Sequence, residues 1–300
     1  MKQKTIKEEF TLQSVGLHTG LQVTAVFHPA PENTGICLRR VDLAGKPCYQ
    51  ALADYVSATE RGTVLEHGKW KISTVEHALS ALYAMEVDNC IIDVDAPEIP
   101  ILDGSARLFI REIQRVGLVE QEAEQKVYVV DKPIDYISEH GNVMRIEPCD
   151  HYEVDVTIAF RSMLLREQHA KLTNLKDYPK EIAAARTFCF VREIEPLLRV
   201  GLIKGGDLKN ALVIYETEMS QEGMDYFCDK LGQPHLDATK LGYLSPLNYQ
   251  NEPARHKLLD VIGDLSLLGL RLQGRIIAYK PGHTFNTQCV RRLRNQILSE

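Results

Sequence analysis

Residues 22–28 alternate apolar and polar side chains, the period of two that a half-buried strand imposes. Pro29, Pro31, Asn33 and Gly35 follow and predict a turn. The period then changes. Ala78, Leu79, Ala81, Leu82 and Met85 fall at helical spacing. Ser73 and Glu76, three apart just ahead of them, predict a capping box at the helix start. Residues 89–94 predict a short buried strand. Pro97 and Pro100 forbid helix and predict an extended loop. A second helix is predicted to begin at 103–106, run through Phe109, Ile110, Ile113 and Val116, and close at Gly117. The charged stretch 120–126 reads as a linker.

Beyond it the theme recurs. Strands are predicted at 127–130, 143–146 and 154–160, and a helix near 182–185. An apolar-periodic helix follows at 256–270, then a strand at 274–279 and a last helix at 286–298. Glu76-His77 and Arg255-His256 each place a histidine near the start of a Leu-rich helix, as a duplication would. The chain therefore reads as two halves, 1–125 and 126–300, with one histidine-bearing helix in each and a site between them. Residues 217–252 predict a surface loop or one extra helical turn, with His235 on the surface.

The composition of the 300 residues, 44% hydrophobic and 25% charged, is that of a globular protein with ample core. A net charge of -6 argues against general nucleic-acid binding, which leaves a basic footprint. The seven cysteines form no C-x-x-C pair and fit reduced thiols of a cytoplasmic protein, so a metal would need His and carboxylate ligands. No apolar run reaches the length of a membrane span, and the first residues lack the apolar core of a signal peptide, so no stable membrane insertion is expected.

His256 and Asp260 are four apart on a predicted helix and share a face. Imidazole and carboxylate suit a divalent metal such as zinc, which in catalytic sites takes three protein ligands. His77 is the third candidate, and its neighbour Glu76 the candidate general base. Asp264 extends the same face, and an Asp beside His283 would raise that histidine and fix its tautomer. Spacing alone leaves ordinary alternatives: a solvated pair for His256 and Asp260, a capping role for Glu76, an exposed loop position for His283.

Six blocks carry more. Ser14-Val-Gly-Leu-His-Thr-Gly20, Ser73-Thr-Val-Glu-His77, Ala96-Pro-Glu-Ile-Pro-Ile-Leu-Asp-Gly-Ser105, Ala185-Arg-Thr-Phe188, His256-Lys-Leu-Leu-Asp-Val-Ile-Gly-Asp264 and Gly282-His283 resemble, in order, the UDP-3-O-acyl-N-acetylglucosamine deacetylases. The resemblance covers nearly the whole chain. It implies two α+β domains of similar topology, helices sandwiched between two β-sheets, and a β-α-α-β insert in the second domain. It implies one Zn2+ per chain on His77, His256 and Asp260, with Glu76 as base. His283 matches the cationic acid and oxyanion stabiliser, Asp264 its partner, and Thr187 a hydroxyl near the oxyanion. Phe188 and Lys257 match substrate contacts, an aromatic surface for the nucleotide and a charge near phosphate. Lys257, next to a ligand on its helix, is expected to point away toward the rim, and Asp103 to be structural. The implied activity is removal of the N-acetyl group from a UDP-linked acylated amino sugar, an early step toward lipid A. The acyl chain would lie in an apolar passage built near 191–213, where the run Ile194, Leu197, Leu198, Val200, Leu202 and Ile203 is apolar enough to line a tunnel and equally to be core, so no single residue is assigned. Some members are fused to a dehydratase of acyl-carrier-protein substrates. The segment 59–63 has no cysteine, although some members carry one near the site. Two rival readings are a zinc amidase acting on another N-acyl sugar and a nucleotide-sugar binding protein without catalysis.

Overall fold

The computed structural model describes residues 1–199 and 204–299. Two mixed sheets carry the fold. The first runs Phe10–Val15, Gln22–Pro29, Cys90–Val94, Ile36–Arg40, Cys48–Gln50 across its width. The second runs Ile134–Ile137, Val143–Glu147, Arg271–Tyr279, Tyr152–Ala159, Glu167–Leu172, and Val127–Val129 pairs with Arg271–Tyr279 off this path. Ranked by chain order, both five-strand paths read 1-2-5-3-4. In both, the last strand lies parallel to the third and antiparallel to the second. The alternation along Gln22–Pro29 and Arg271–Tyr279 buries one face of each sheet, as the period of two requires.

The helices, in chain order, are α1 (Glu76–Ala84), α2 (Arg107–Val116), α3 (Tyr178–Glu181), α4 (Val191–Arg199), α5 (Gln221–Lys230), α6 (Glu252–Ser266) and α7 (His283–Ser299). The two central helices, α1 and α6, lie between the sheets. α1 is buried on every side and α6 on nearly every side: α1 packs against α6 and α2, and α6 against α1, α7 and the strands Tyr152–Ala159 and Glu167–Leu172. Their crossing is close because Gly263 of α6 has no side chain: a Cβ there would stand 2.3 Å from the carbonyl oxygen of Glu76. One apolar core, with Trp70, Phe27, Leu82, Leu258 and Ile276 within it, spans both halves.

Several expectations change. The charged stretch 120–126 is largely strand: Leu118–Glu124 pairs antiparallel with Lys2–Ile6, its charges on the exposed face. The capping box does not form. α1 begins at Glu76 behind Val75. The Ser73 hydroxyl donates to the Pro97 carbonyl, and the Glu76 carboxylate is drawn toward the site instead. Thr74, just ahead, takes a positive φ of 58°, a costly conformation for a β-branched residue. The helix near 182–185 is instead α3, which ends at Glu181.

The insert has Phe188–Phe190 and Leu212–Tyr215 as parallel strands with α4 between them, the one helix between them among the described residues. The side chains of Leu197 and Leu198, and Val200, Leu202 and Ile203, lie outside the described residues. The stretch 217–252 is more than a loop. α5, capped by the Ser220 hydroxyl accepting from Gly223 N–H at 3.1 Å, buries Met224, Phe227 and Cys228 against Val191, Val213 and Tyr215 in a second small core. His235 is exposed, within 3.5 Å of Asp225 and 2.9 Å of Asp229. Among the described residues no helix is long and apolar enough to cross a membrane.

Candidate metal centre and active site

The crossing of α1 and α6 brings His77 from one helix against His256 and Asp260 from the other. Their ligating atoms all lie within 4.8 Å of one another, and all three residues are buried. The two imidazoles meet edge to face, centroids 5.0 Å apart. Spacing i, i+4 on α6 sets His256 and Asp260 on one face. Burial, then the neighbouring His256, pushes His77 down to about 3, and burial also lowers His256, so both rings are neutral at pH 7. His256 Nδ1 donates to the Ala185 carbonyl at 3.0 Å, which leaves Nε2 with its lone pair. That lone pair faces Asp260 Oδ1 at 3.4 Å, and Oδ1 is buried with no hydrogen-bond donor. Burial opposes ionisation of Asp260, but Lys257, His256 and His283 together hold it well below the usual carboxylate range. Two electron-rich atoms facing each other without a proton between them, beside a second neutral imidazole, form the donor set that zinc accepts.

Around this triad the acid–base groups are anchored. Glu76 Oε2 accepts from Thr63 N–H at 3.0 Å, while Oε1 lies 3.9 Å from His283 Nε2. Burial pushes Glu76 up to about 7, and the charge of His283 only partly offsets it. His283 Nδ1 bonds Asp264 Oδ2 at 2.9 Å, which turns Nε2 toward the cavity, 3.7 Å from Asp260 Oδ2. Burial would lower His283, but Asp264 and Asp260 outweigh it and raise it to about 9. Asp264 itself is fully buried and held by the Thr63 hydroxyl at 2.6 Å and Asn286 Nδ2 at 2.9 Å.

Glu76, His77, His256, Asp260 and His283 line a cavity of about 450 Å3. Thr187, Phe188 and Lys257 line it as well. Lys257 does not point away. Three residues before Asp260 on α6, it curls back onto that face, donates to Asp260 Oδ2 at 2.7 Å and lies 5.6 Å from the Phe188 ring centroid. The Phe188 ring packs edge-on against His256 at 6.3 Å. Asp103 lies outside the cavity lining and braces its own loop, accepting from Ser105 and Arg107. A second cluster, Cys149, His151 and Glu153, sits at the start of the strand Tyr152–Ala159, and Glu153 is already near Lys171 at 3.3 Å and Arg275 at 3.7 Å.

Comparison with known proteins follows the geometry. A family model described as UDP-3-O-acyl N-acetylglycosamine deacetylase (LpxC) matches residues 3–229 and 236–295. The chain belongs to this deacetylase family. It is 50% identical over 300 residues to a protein of Bacteroides thetaiotaomicron named bifunctional enzyme LpxC/FabZ, covering 99% of this chain and 65% of that one. It is 52% identical to the protein of the same name from Porphyromonas gingivalis, again over 99% of this chain and 65% of the relative. A UDP-3-O-acyl-N-acetylglucosamine deacetylase of Syntrophus aciditrophicus is 39% identical over 98% of this chain and 86% of its own length. The chain thus spans about 65% of the bifunctional relatives it matches. Every candidate site residue of this deacetylase-family chain lies within the matched residues, and 230–235 do not.

Sequence reasoning missed the supports. Thr63 touches base and acid together: its N–H reaches Glu76 and its hydroxyl Asp264, with His283 Nδ1 at 3.3 Å. The signal was its place in 59–63, noted only for a missing cysteine. The carboxylate of Glu98, fully buried, accepts from the backbone of His18 and Thr19 and from the hydroxyls of Thr19 and Thr74, which explains why 14–20 and 96–105 go together. Arg186 forks onto the buried Glu252 at the start of α6, so the 185–188 block orients the helix that bears His256.

Proposed function

We propose that this chain hydrolyses the N-acetyl amide of a UDP-3-O-acyl-N-acetylglucosamine to a free amine and acetate, with one zinc ion held by His77, His256 and Asp260. The observation that carries the reading is the pairing of Glu76 and His283 beside the triad: a carboxyl raised by burial and a histidine raised by Asp264 share one cavity wall. Bound zinc would supply Lewis acidity, lowering the pKa of water and polarising a carbonyl. The chain's own residues do the rest. Glu76 Oε1, facing the cavity, takes the proton of the attacking water. His283, protonated and held by Asp264, presents Nε2–H to the developing oxyanion and then protonates the departing amine. Thr187 supplies a hydroxyl beside the same carbonyl. Lys257 has Asp260 Oδ2 as partner until the substrate's diphosphate offers a second anion, and Phe188 packs beside the sugar nucleotide. A protein that only binds a nucleotide sugar has no use for a base and an acid paired beside the triad.

The reaction belongs early on the route to lipid A. With seven free cysteines, the protein is assigned to the cytoplasm. A dehydratase acting on acyl-carrier-protein substrates, fused or associated, is the expected partner, in keeping with the bifunctional relatives' names. The division at 125/126 falls between the strands Leu118–Glu124 and Val127–Val129.

The test is zinc content and deacetylation rate for the parent and Glu76→Ala. One zinc and turnover in the parent, with zinc kept and rate reduced about 10²–10⁴-fold in the variant, is the expected result. A metal-free parent that stays inactive when zinc is supplied would overturn it.

A further inference from the structure

The cavity lining carries two chemically different sets of residues. The triad, Glu76 and His283 form the first. Cys189, Ile194, Ala211, Val213 and Leu231 form the other. Cys189 and Val213 face each other in register across the insert strands, and Ile194 comes from α4. Leu231 comes from farther along the chain, just past the end of α5. The family model matches up to 229 and resumes at 236. This wall residue therefore stands on a stretch that the family model leaves unmatched.

We propose that the segment 230–235 sets the length of acyl chain the site accepts, with Leu231 as the stop. The proposal rests on the deacetylase reading above. The substrate's acyl ester hangs from the sugar carbon next to the one bearing the amide. Once the amide is seated at the triad, the chain starts within a few bonds of it and needs an apolar wall. Cys189, Ile194, Ala211, Val213 and Leu231 offer one in this cavity.

A stop must be rigid, and Leu231 is. Its N–H bonds the carbonyls of Phe227 and Cys228 at 3.2 and 3.1 Å. Gly232 follows at φ 61°, the left-handed conformation that ends a helix and that glycine adopts without strain. Gln233 N–H then returns to the Cys228 carbonyl at 2.9 Å, and Gly232 N–H to that of Asp229 at 3.1 Å, the two bonds of a Schellman motif. α5 is rooted in its own small core through Met224, Phe227 and Cys228, where Tyr215 ties two more strands of chain: its hydroxyl donates to the Ala238 carbonyl and accepts from Met219 N–H, both at 2.9 Å. Leu231 is packed against this core while still facing the cavity.

The experiment compares kcat/KM over a series of UDP-3-O-acyl-N-acetylglucosamines, lengthened two carbons at a time, for the parent, Leu231→Ala and Leu231→Phe. Each protein's rates are divided by its own rate on the shortest chain, so a general loss of activity cancels. The longest well-used chain should lengthen in Leu231→Ala and shorten in Leu231→Phe. Each methylene admitted or excluded is worth about fourfold in relative kcat/KM. Should the bulkier variant not fold, Leu231→Ala decides alone, since it removes atoms from the wall and leaves the backbone motif intact. Gln233→Ala, on the same segment but outside the lining, should keep the parent's profile. Superposable profiles for the parent and both Leu231 variants would overturn the stop and leave the deacetylase reading standing. A parent that turns over no member of the series would overturn the deacetylase reading, and the stop with it.

Discussion

Gly263→Ala tests the link between packing and site. In an open helix this change stabilises by about 1 kcal/mol. Here the added methyl would stand 2.3 Å from the Glu76 carbonyl oxygen, 2.9 Å from its carbon and 3.0 Å from the Cα. An unstrained carbon–oxygen contact needs roughly 3.3 Å, so α1 and α6 must part by about 1 Å. Overpacking of this kind costs about 1–3 kcal/mol, which lowers Tm by about 2–12 °C for a chain of this size. The same displacement separates Glu76 and His77 on α1 from His256 and Asp260 on α6. A misplacement of about 1 Å costs about 10²-fold in rate, and zinc affinity should fall with it. The assay is Tm, zinc stoichiometry and kcat/KM on the parent and the variant. The sign of the Tm shift decides: a variant with equal or higher Tm and the parent's rate would show that the helices do not meet where the structure has them.

Four further outcomes are expected. The rate of the parent should rise as pH rises through the pKa of Glu76, because the carboxylate is the active form, and fall as pH rises through that of His283, because the imidazolium is; burial and Asp264 put these at about 7 and about 9, and a bound cation moves both lower. A basic limb that survives unchanged in His283→Ala would remove that histidine from the mechanism. Thr63→Val keeps the shape but deletes the hydroxyl on Asp264, so kcat should fall about tenfold, roughly the weight of one charge-assisted hydrogen bond, and the basic limb should move; an unchanged pH profile would assign Thr63 to packing alone. Stripping zinc with a chelator should abolish turnover and lower Tm, since a ligand at a thousandfold excess over its Kd stabilises by about 4 kcal/mol; a Tm indifferent to chelation and to added zinc would argue against the triad. Lys257→Ala should raise KM for the UDP-linked substrate more than it lowers kcat, and the opposite split would place the lysine at the reacting carbonyl.

Much of the architecture was legible because burial writes its period into the chain. Residues 22–28 and 274–279 alternate and are strands; 78–85 and 256–266 repeat at helical spacing and are the two central helices. The misreadings occur where a long-range partner overrides a local preference. The charges of 120–126 suggested a linker, yet the strand ladder to Lys2–Ile6 needs only backbone and one shielded face. Ser73 and Glu76 have the spacing of a capping box, yet the Glu76 carboxylate finds the N–H of Thr63. The length of 217–252, rather than its period, suggested a surface loop, yet Met224, Phe227 and Cys228 fall at helical spacing and root α5 in a small core of its own.

The sequence by itself determined which residue types could do the chemistry, and i, i+4 spacing determined that His256 and Asp260 share a face, since helix geometry is local. It also carried the family's motifs in order. Only the tertiary structure decided that His77 meets that face, through a helix crossing as close as Gly263 allows. It alone decided that Lys257 folds back onto Asp260, that Thr63 touches both acid and base, and that Leu231 lines the same cavity as the groups on α1 and α6. Each of these depends on distances between residues far apart in the chain, and such distances exist only once the two sheets have closed over the helices.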